Sequence, residues 1–326
     1  MLGIARYAQT LVRDFGAAWN EFWFRPSDPY VLCVMRIATG LVALYMYAIF
    51  GLDLVEFFGT GGLVPVDIVE VHDAGWYGLS YFRLMTAPGE LLVTHYLGLA
   101  VLVLFTAGLF TRVTSVLALI VVLDYVHRAR VLTSQPEVLL CMLLVYLCLA
   151  PCGTYLSLDA YGSRRRREQD VARGRHVDRG RLSLGATIAT RLIQVHLSAI
   201  VLTSTLSMLT AAVWWEGQAI WWIVARPETR IVDLAALLHG HPYLVNALTH
   251  GVLLVGLAFP VLIWVRLLRP LVLVIGMATW IFLALATGLV TFGALMLTAS
   301  LAFVDPAAFS RLLSPRAEAT QAAPAA

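Results

Sequence analysis

The side chains able to do chemistry are few, and they sit at the ends of long apolar runs or inside them. Asp124, His127, Arg128 and Glu137 fall on either side of a short polar break. A histidine beside a carboxylate can carry a proton, with Asp124 or Glu137 orienting the His127 ring, and these three are the catalytic candidates. The same residues also read as an outward charge cluster that closes a loop. Trp214, Trp215 and Glu216 follow a later apolar run and join this mouth if the helices close around it. Arg36 and Arg191 lie inside apolar runs, each about two helical turns from a polar end. With no carboxylate near either in sequence, they suit a shared anionic ligand. The other reading is that each snorkels or bonds to backbone carbonyls. Arg191, Gln194, Ser198, Thr205 and Met208 share one helical face by their spacing, which turns that face into a bundle.

Metal and thiol chemistry find less support. His239 and His241 are separated by one residue, and His72 and His250 lie on the same expected side, but no carboxylate or cysteine frame accompanies them and no metal ligand is assigned. Cys33, Cys141, Cys148 and Cys152 form no CxxC pair and no zinc spacing, so they read as structural thiols. A bridge between Cys148 and Cys152, one turn apart on a helix, would be strained.

The elements that must position these groups are membrane helices. Hydrophobic residues make up 60% of the 326-residue chain and charged residues 13%, with a mean hydropathy of +0.80, far from a soluble composition. Apolar residues run continuously instead of alternating, which favours helices over a β-barrel. The expected architecture is all-α, a polytopic transmembrane bundle of about eight spans. These run over Tyr30 to Phe50, Glu90 to Gly108, Val113 to Val126, Glu137 to Leu156, Leu184 to Leu209, Tyr243 to Val265, Leu271 to Thr287 and Leu289 to Val304. Residues 1–24 mix Arg6, Arg13 and Asp14 with Trp19, Phe22, Trp23 and Phe24, the pattern of an amphipathic interfacial helix. Residues 25–306 make the membrane domain. Its first span opens after Arg25-Pro-Ser-Asp-Pro29, with Asp28 or Ser27 as cap. Residues 53–89 read as a polar, aromatic loop with short surface or re-entrant helices. Residues 307–326 read as a disordered tail.

All 23 basic residues are arginine. Arg164 to Arg167, Arg173, Arg175, Arg179 and Arg181 crowd the loop 159–181, which marks it as cytoplasmic and as a contact for anionic lipids. Nucleic acid is set aside, because a juxtamembrane basic block between spans is a topology signal. With that loop inside, Arg6, Arg13, Arg112, Arg266, Arg269, Arg311 and Arg316 also fall inside. Arg83, Arg128, Arg130, Arg226 and Arg230 fall outside, near Glu137, Glu228 and Asp233. The expected location is a bacterial inner or plasma membrane with both termini cytoplasmic. Neither the inverted repeats of a transporter nor a nucleotide-binding fingerprint appears.

Several stretches carry a resemblance. Phe24-Arg-Pro-Ser-Asp-Pro29 followed by Arg36-Ile-Ala-Thr-Gly40 resembles the start of the HTTM (horizontally transferred transmembrane) family, the membrane domain of vitamin K-dependent gamma-carboxylase. Similar stretches follow in order: Phe57-Phe-Gly-Thr-Gly-Gly-Leu-Val-Pro65, Gly108-Leu-Phe-Thr-Arg112, His127-Arg128, Ala150-Pro151 with Leu156-Ser-Leu-Asp159, and Trp214-Trp-Glu-Gly217. The resemblance covers about Phe24 to Pro306. It implies an eight-span bundle holding a quinone or lipidic ligand, with reduced quinone as the cofactor. The ligand-binding candidates, read from the residues themselves, are Arg36, Arg191, Gln194, Trp214, Trp215 and Glu216.

The resemblance also carries a departure. Carboxylases of this family use a lysine to deprotonate reduced vitamin K, so that oxygenation yields a base strong enough for glutamate. The similar stretch here, Thr205-Leu-Ser-Met-Leu209, has Met208, and the chain contains no lysine. Arginine cannot take over, because it does not deprotonate in proteins. The family's histidine early in the seventh span is replaced around Thr279 and Trp280. The resemblance therefore implies either a carboxylase- or epoxidase-like membrane enzyme working without that lysine, or a noncatalytic membrane scaffold or partner subunit, with a protein partner in the second case.

Overall fold

The computed structural model describes residues 2–59, 61–72, 80–85, 87–128, 130–172, 182–227 and 231–306. Arg173, Arg175, Arg179, Arg181, Glu228, Arg230 and the tail from residue 307 lie outside them, as do the side chains of His72, Arg166 and Arg167.

The described residues are helical throughout, with no strand; an isolated antiparallel bridge joins Ser27 to Ser183. Ten principal helices follow in order: α1 (Leu2–Phe24), α2 (Tyr30–Phe50), α3 (Pro88–Ala107), α4 (Thr111–Arg128), α5 (Gln135–Leu149), α6 (Leu158–Ala172), α7 (Leu184–Met208), α8 (Pro242–Leu262), α9 (Arg269–Thr287) and α10 (Val290–Ser300). Short helices fill the connections, at Leu54–Phe58, Val66–His72, Ala212–Trp215, Ala219–Val224 and Leu234–Leu238, with a 3-10 turn at Tyr81–Leu84. Five helices, α2, α3, α7, α8 and α9, are long and apolar enough to cross a membrane. A 21-residue helix such as α2 spans about 30 Å, the depth of a hydrocarbon core. The apolar helices α5 and α10 are shorter, and α4 carries Arg112, Asp124 and Arg128 in its 18 residues.

Hydrogen bonds between distant segments sort the helix ends into two groups. At one end, Asp28 accepts from the Tyr30 N–H (2.9 Å) and the Tyr155 hydroxyl (3.0 Å), although the cap position of α2 is Pro29 and not the expected Asp28 or Ser27. Ser27 and Ser183 exchange backbone bonds, and the Thr187 hydroxyl donates to the Arg25 carbonyl at 2.6 Å. Trp264, just after α8, packs on Phe22 and on Phe303 after α10. At the opposite ends, Asp124 and Arg128 of α4 bond the segments after α2, and Ile231 donates to the Leu285 carbonyl of α9. The helices α2 to α5 and α7 to α10 therefore alternate in direction.

One expected boundary moves well inward. α5 stops at Leu149, not Leu156, because Ala150 turns extended (φ −95°, ψ 147°) ahead of Pro151, the conformation that a following proline favours. Cys152 consequently leaves the helix that carries Cys148, and all four cysteines are free. The start of the basic loop is instead helical as α6. α1 forms one uninterrupted helix whose Tyr7, Leu11, Phe15 and Trp19 make an exposed apolar ridge at i,i+4 spacing.

Several hydroxyls inside the bundle are satisfied within their own helix. Thr106, Thr205, Thr249, Thr298 and Ser300 each donate to the carbonyl four residues back. This lets small polar residues pack at close helix contacts without an unpaired hydroxyl.

Candidate functional site

The short helix Leu54–Phe58 folds back beside the ends of α2 and α4, and the start of α5 completes the enclosure. They surround a cavity of about 420 Å³ lined by Ile49, Phe50, Phe57, Phe58, Tyr125 and Val126, with Asp53, Thr133, Ser134 and Glu137 as its polar edge. An apolar enclosure with a few polar groups at one edge is the usual form of a small-molecule site.

Tyr125 is the hub of its wall. Its ring meets Tyr47, Phe50, Phe58, Phe82 and His95. Its hydroxyl bonds Nδ1 of His95, which is 2% exposed and whose Nε2 has no partner among the described residues. Sequence reasoning passed over His95, although an ionisable side chain within an apolar span such as α3 is a signal in itself.

The proton-carrier candidates are divided among separate tasks. One Asp124 oxygen accepts from the Tyr81 N–H (2.6 Å) and the Phe82 N–H (3.5 Å), pinning that 3-10 turn to α4. Burial, then the Asp124 charge, push the Tyr81 phenol up to about 12, so it stays neutral. Arg128 is fully buried, donates to the Phe58 carbonyl at 3.1 Å and lies 5.0 Å from the centre of the Phe58 ring. Although Asp124 and Arg128 are one turn apart, no ion pair joins them among the described residues. Glu137 accepts from the N–H and hydroxyl of Ser134, a capping box that starts α5 beside the cavity. The His127 ring is half-buried, and its backbone carbonyl accepts from Arg83 at 2.7 Å. These bonds fasten the loops that form the cavity wall.

No protein-family profile, curated protein or solved structure matches this chain.

Trp214, Trp215 and Glu216 do not reach the aromatic cavity. Trp214 packs with Met208 and Leu209 at the end of α7, and the exposed Trp215 donates its indole N–H to the Leu209 carbonyl at 2.6 Å. Glu216 lines a second cavity of about 430 Å³ with Gln218, Trp221, His239, His241 and Asn246. The two cavities share no lining residue. Among the described residues no group of three or more His, Cys, Asp and Glu is placed to hold a metal ion.

Arg36 and Arg191 occupy different surroundings. Arg36 is fully buried and donates to the carbonyls of Cys152 (3.0 Å) and Leu156 (2.6 Å), in the turn that follows α5. Gly108, at φ +74°, lets the α3–α4 turn close over it, because a Cβ there would stand 2.3 Å from Arg36 Nη1. Asp159 completes this knot, accepting from the N–H groups of Phe110 (2.9 Å) and Thr111 (2.8 Å) and from the Thr111 hydroxyl (2.5 Å). Burial acts to raise the Asp159 pKa, but those hydrogen bonds and the Arg36 charge together outweigh it and hold the carboxyl below its ordinary value. Arg191 donates to the Phe22 carbonyl (3.1 Å) and to Gln194 Oε1 (2.9 Å), while Gln194 donates to the Ala302 carbonyl (2.7 Å). Gln194, Ser198 and Thr205 are buried, so this face of α7 does point into the bundle.

Proposed function

We propose that this chain is a multi-pass membrane protein of the carboxylase-like HTTM type that holds a quinone or other lipidic ligand in the aromatic cavity at the ends of α2, α4 and α5. The observation that carries the reading is the lining of that cavity: Phe50, Phe57, Phe58 and Tyr125 give it aromatic walls suited to a flat, apolar head, with Asp53, Thr133, Ser134 and Glu137 as its polar groups. In this reading all eight alternating helices cross the bilayer, including α4, α5 and α10, and α1 lies in the interface on its apolar ridge. The end that holds Arg112, Arg164, Arg165, Arg266 and Arg269 faces the cytoplasm, together with both termini. Arg164 and its neighbours on α6 meet anionic headgroups. The membrane is a bacterial inner or plasma membrane.

The reading excludes the carboxylase's own acid–base route. A thioether occupies position 208, and no lysine exists elsewhere in the chain to supply an amine. Reconstituted protein given a hydroquinone, oxygen, carbon dioxide and a glutamate peptide is expected to form no carboxylated product; product formation would overturn the lysine argument. The ligand itself is tested by solvent extraction of the purified protein and mass spectrometry of the extract. An isoprenoid quinone or related apolar lipid is expected in wild type and is expected to be depleted in Val126→Trp, which fills the cavity. Equal content in both proteins removes the cavity from the proposal.

A further inference from the structure

The end of the bundle where α1 meets α7, beside the start of α9, contains two arginines with no acidic partner among the described residues. Arg191 directs Nε to the Phe22 carbonyl, Nη1 to Gln194, and its guanidinium carbon lies 4.3 Å from the centre of the Phe22 ring. The Phe22 ring packs at 5.8 Å on Trp264. One residue before Trp264, the Ile263 carbonyl accepts from Nε of Arg269 at 3.1 Å. Arg191 thus lies on one ring of an aromatic pair, and Arg269 is anchored to the residue before the other. Both side chains are half-buried. Neither has a carboxylate partner among the described residues, and Nη2 of Arg191 and both terminal nitrogens of Arg269 have no protein acceptor there.

Two like charges held together in partly desolvated surroundings repel, and the arrangement is unfavourable unless an anion lies between them. The unsatisfied N–H groups are the outer ones, and guanidinium forks match phosphate oxygens in geometry as well as charge. Trp23 and Trp264 add half-buried indoles at the same place, the residue type enriched where a membrane meets water. We infer that Arg191, on the Phe22 ring, and Arg269, anchored to the residue before Trp264, form a binding site for a phosphate group, taken from the headgroup of an anionic phospholipid or from free phosphate. The site stands apart from the aromatic cavity, and it pairs Arg191 with Arg269 instead of with Arg36. Its neighbour Gln194 ties the site to the Ala302 carbonyl beyond α10, so an occupied site would brace α1, α7, α9 and the end of α10 together.

The test uses the full chain in a neutral detergent. Native mass spectrometry reads binding from micelles containing phosphatidylglycerol or phosphatidylcholine, and tryptophan fluorescence, sensitive to Trp23 and Trp264, follows a separate titration with inorganic phosphate. Wild type is expected to prefer phosphatidylglycerol. Arg269→Gln is expected to bind it about tenfold more weakly. Arg269→Lys should recover part of that loss, and Arg226→Gln, exposed at the opposite end of the bundle, should match wild type. Phosphate saturation with the same order of variants, and no lipid preference, assigns the site to the free anion. Because Arg191→Gln also loses two internal bonds, Arg269→Gln is the deciding variant: wild-type binding of both lipid and phosphate by that protein overturns the inference.

Discussion

Arg36 is a guanidinium with no solvent contact whose partners are backbone carbonyls 116 and 120 residues away. An arginine within an apolar run is visible in sequence as a costly group, but backbone acceptors leave no mark in the side-chain alphabet, so the Cys152 and Leu156 carbonyls were not legible. Replacing it by methionine keeps most of the volume and leaves those carbonyls buried, each an unsatisfied group worth about 1–3 kcal/mol. Arg36→Met is therefore expected to lower stability by roughly 2–5 kcal/mol in a steric-trapping measurement, with Arg36→Lys in between; a near-neutral Arg36→Met would mean that the knot contributes little. Asp159 gives the same knot a pH dependence. Its folded pKa lies below its ordinary value, so its contribution is complete above the unfolded carboxylate range, near 3.8, and fades as pH falls through the lower folded value. In acid titrations of unfolding, Asp159→Asn should be less stable than wild type at neutral pH, and the gap should narrow below pH ~4. Tyr125→Phe is the third test. It leaves His95 buried without its remaining bond, and a loss of about 1–3 kcal/mol is expected. No loss would show that water already serves the imidazole.

At the scale of elements, the apolar runs located eight helices close to where they occur, because hydropathy and the Gly and Pro breaks act locally. The misplaced boundary, at Leu149, follows from Pro151 acting on its predecessor, in a stretch whose hydropathy alone reads as continued span. What hydropathy does not carry is which helix faces touch, since lipid-facing and buried positions are both apolar. The contact between α7 and α8 illustrates this. A Cβ on Gly256 would lie 2.2 Å from Thr205 Oγ1, whereas one on Gly251, in the same helix, meets nothing within 4 Å. The two glycines look alike in sequence. Gly256→Val is expected to cost about 1–3 kcal/mol through forced separation of the helices. Gly251→Val is expected to stay within about 0.5 kcal/mol of wild type. Equal effects from both would place the α7–α8 contact elsewhere.

For the whole molecule, the arginines foretold an arrangement that the helix ends follow. Arg112, Arg164, Arg165, Arg266 and Arg269 belong to connections gathered at one end, while Arg83, Arg128 and Arg130 lie at the other. Two of the latter are occupied in holding loops, Arg83 on the His127 carbonyl and Arg128 on that of Phe58, so they act as clamps and carry little weight as orientation signals. The cavity was legible only in part. Tyr125 and Glu137 flank the break seen in the sequence and Phe50 ends α2, but Phe57 and Phe58 reach the cavity through a reversal after α2 that no local pattern encodes. Orientation is tested with introduced cysteines and a membrane-impermeant maleimide, using the parent protein as blank because its own four thiols are buried or half-buried. Gln218→Cys and His241→Cys, both exposed at one end, should react in intact cells. Arg165→Cys and Arg266→Cys, exposed at the other end, should react only after permeabilisation. The opposite pattern inverts the proposed orientation but keeps the alternation of the helices. Reaction at all four sites in intact cells contradicts the alternation, because a chain threading the bilayer eight times in turn cannot present both ends to one side.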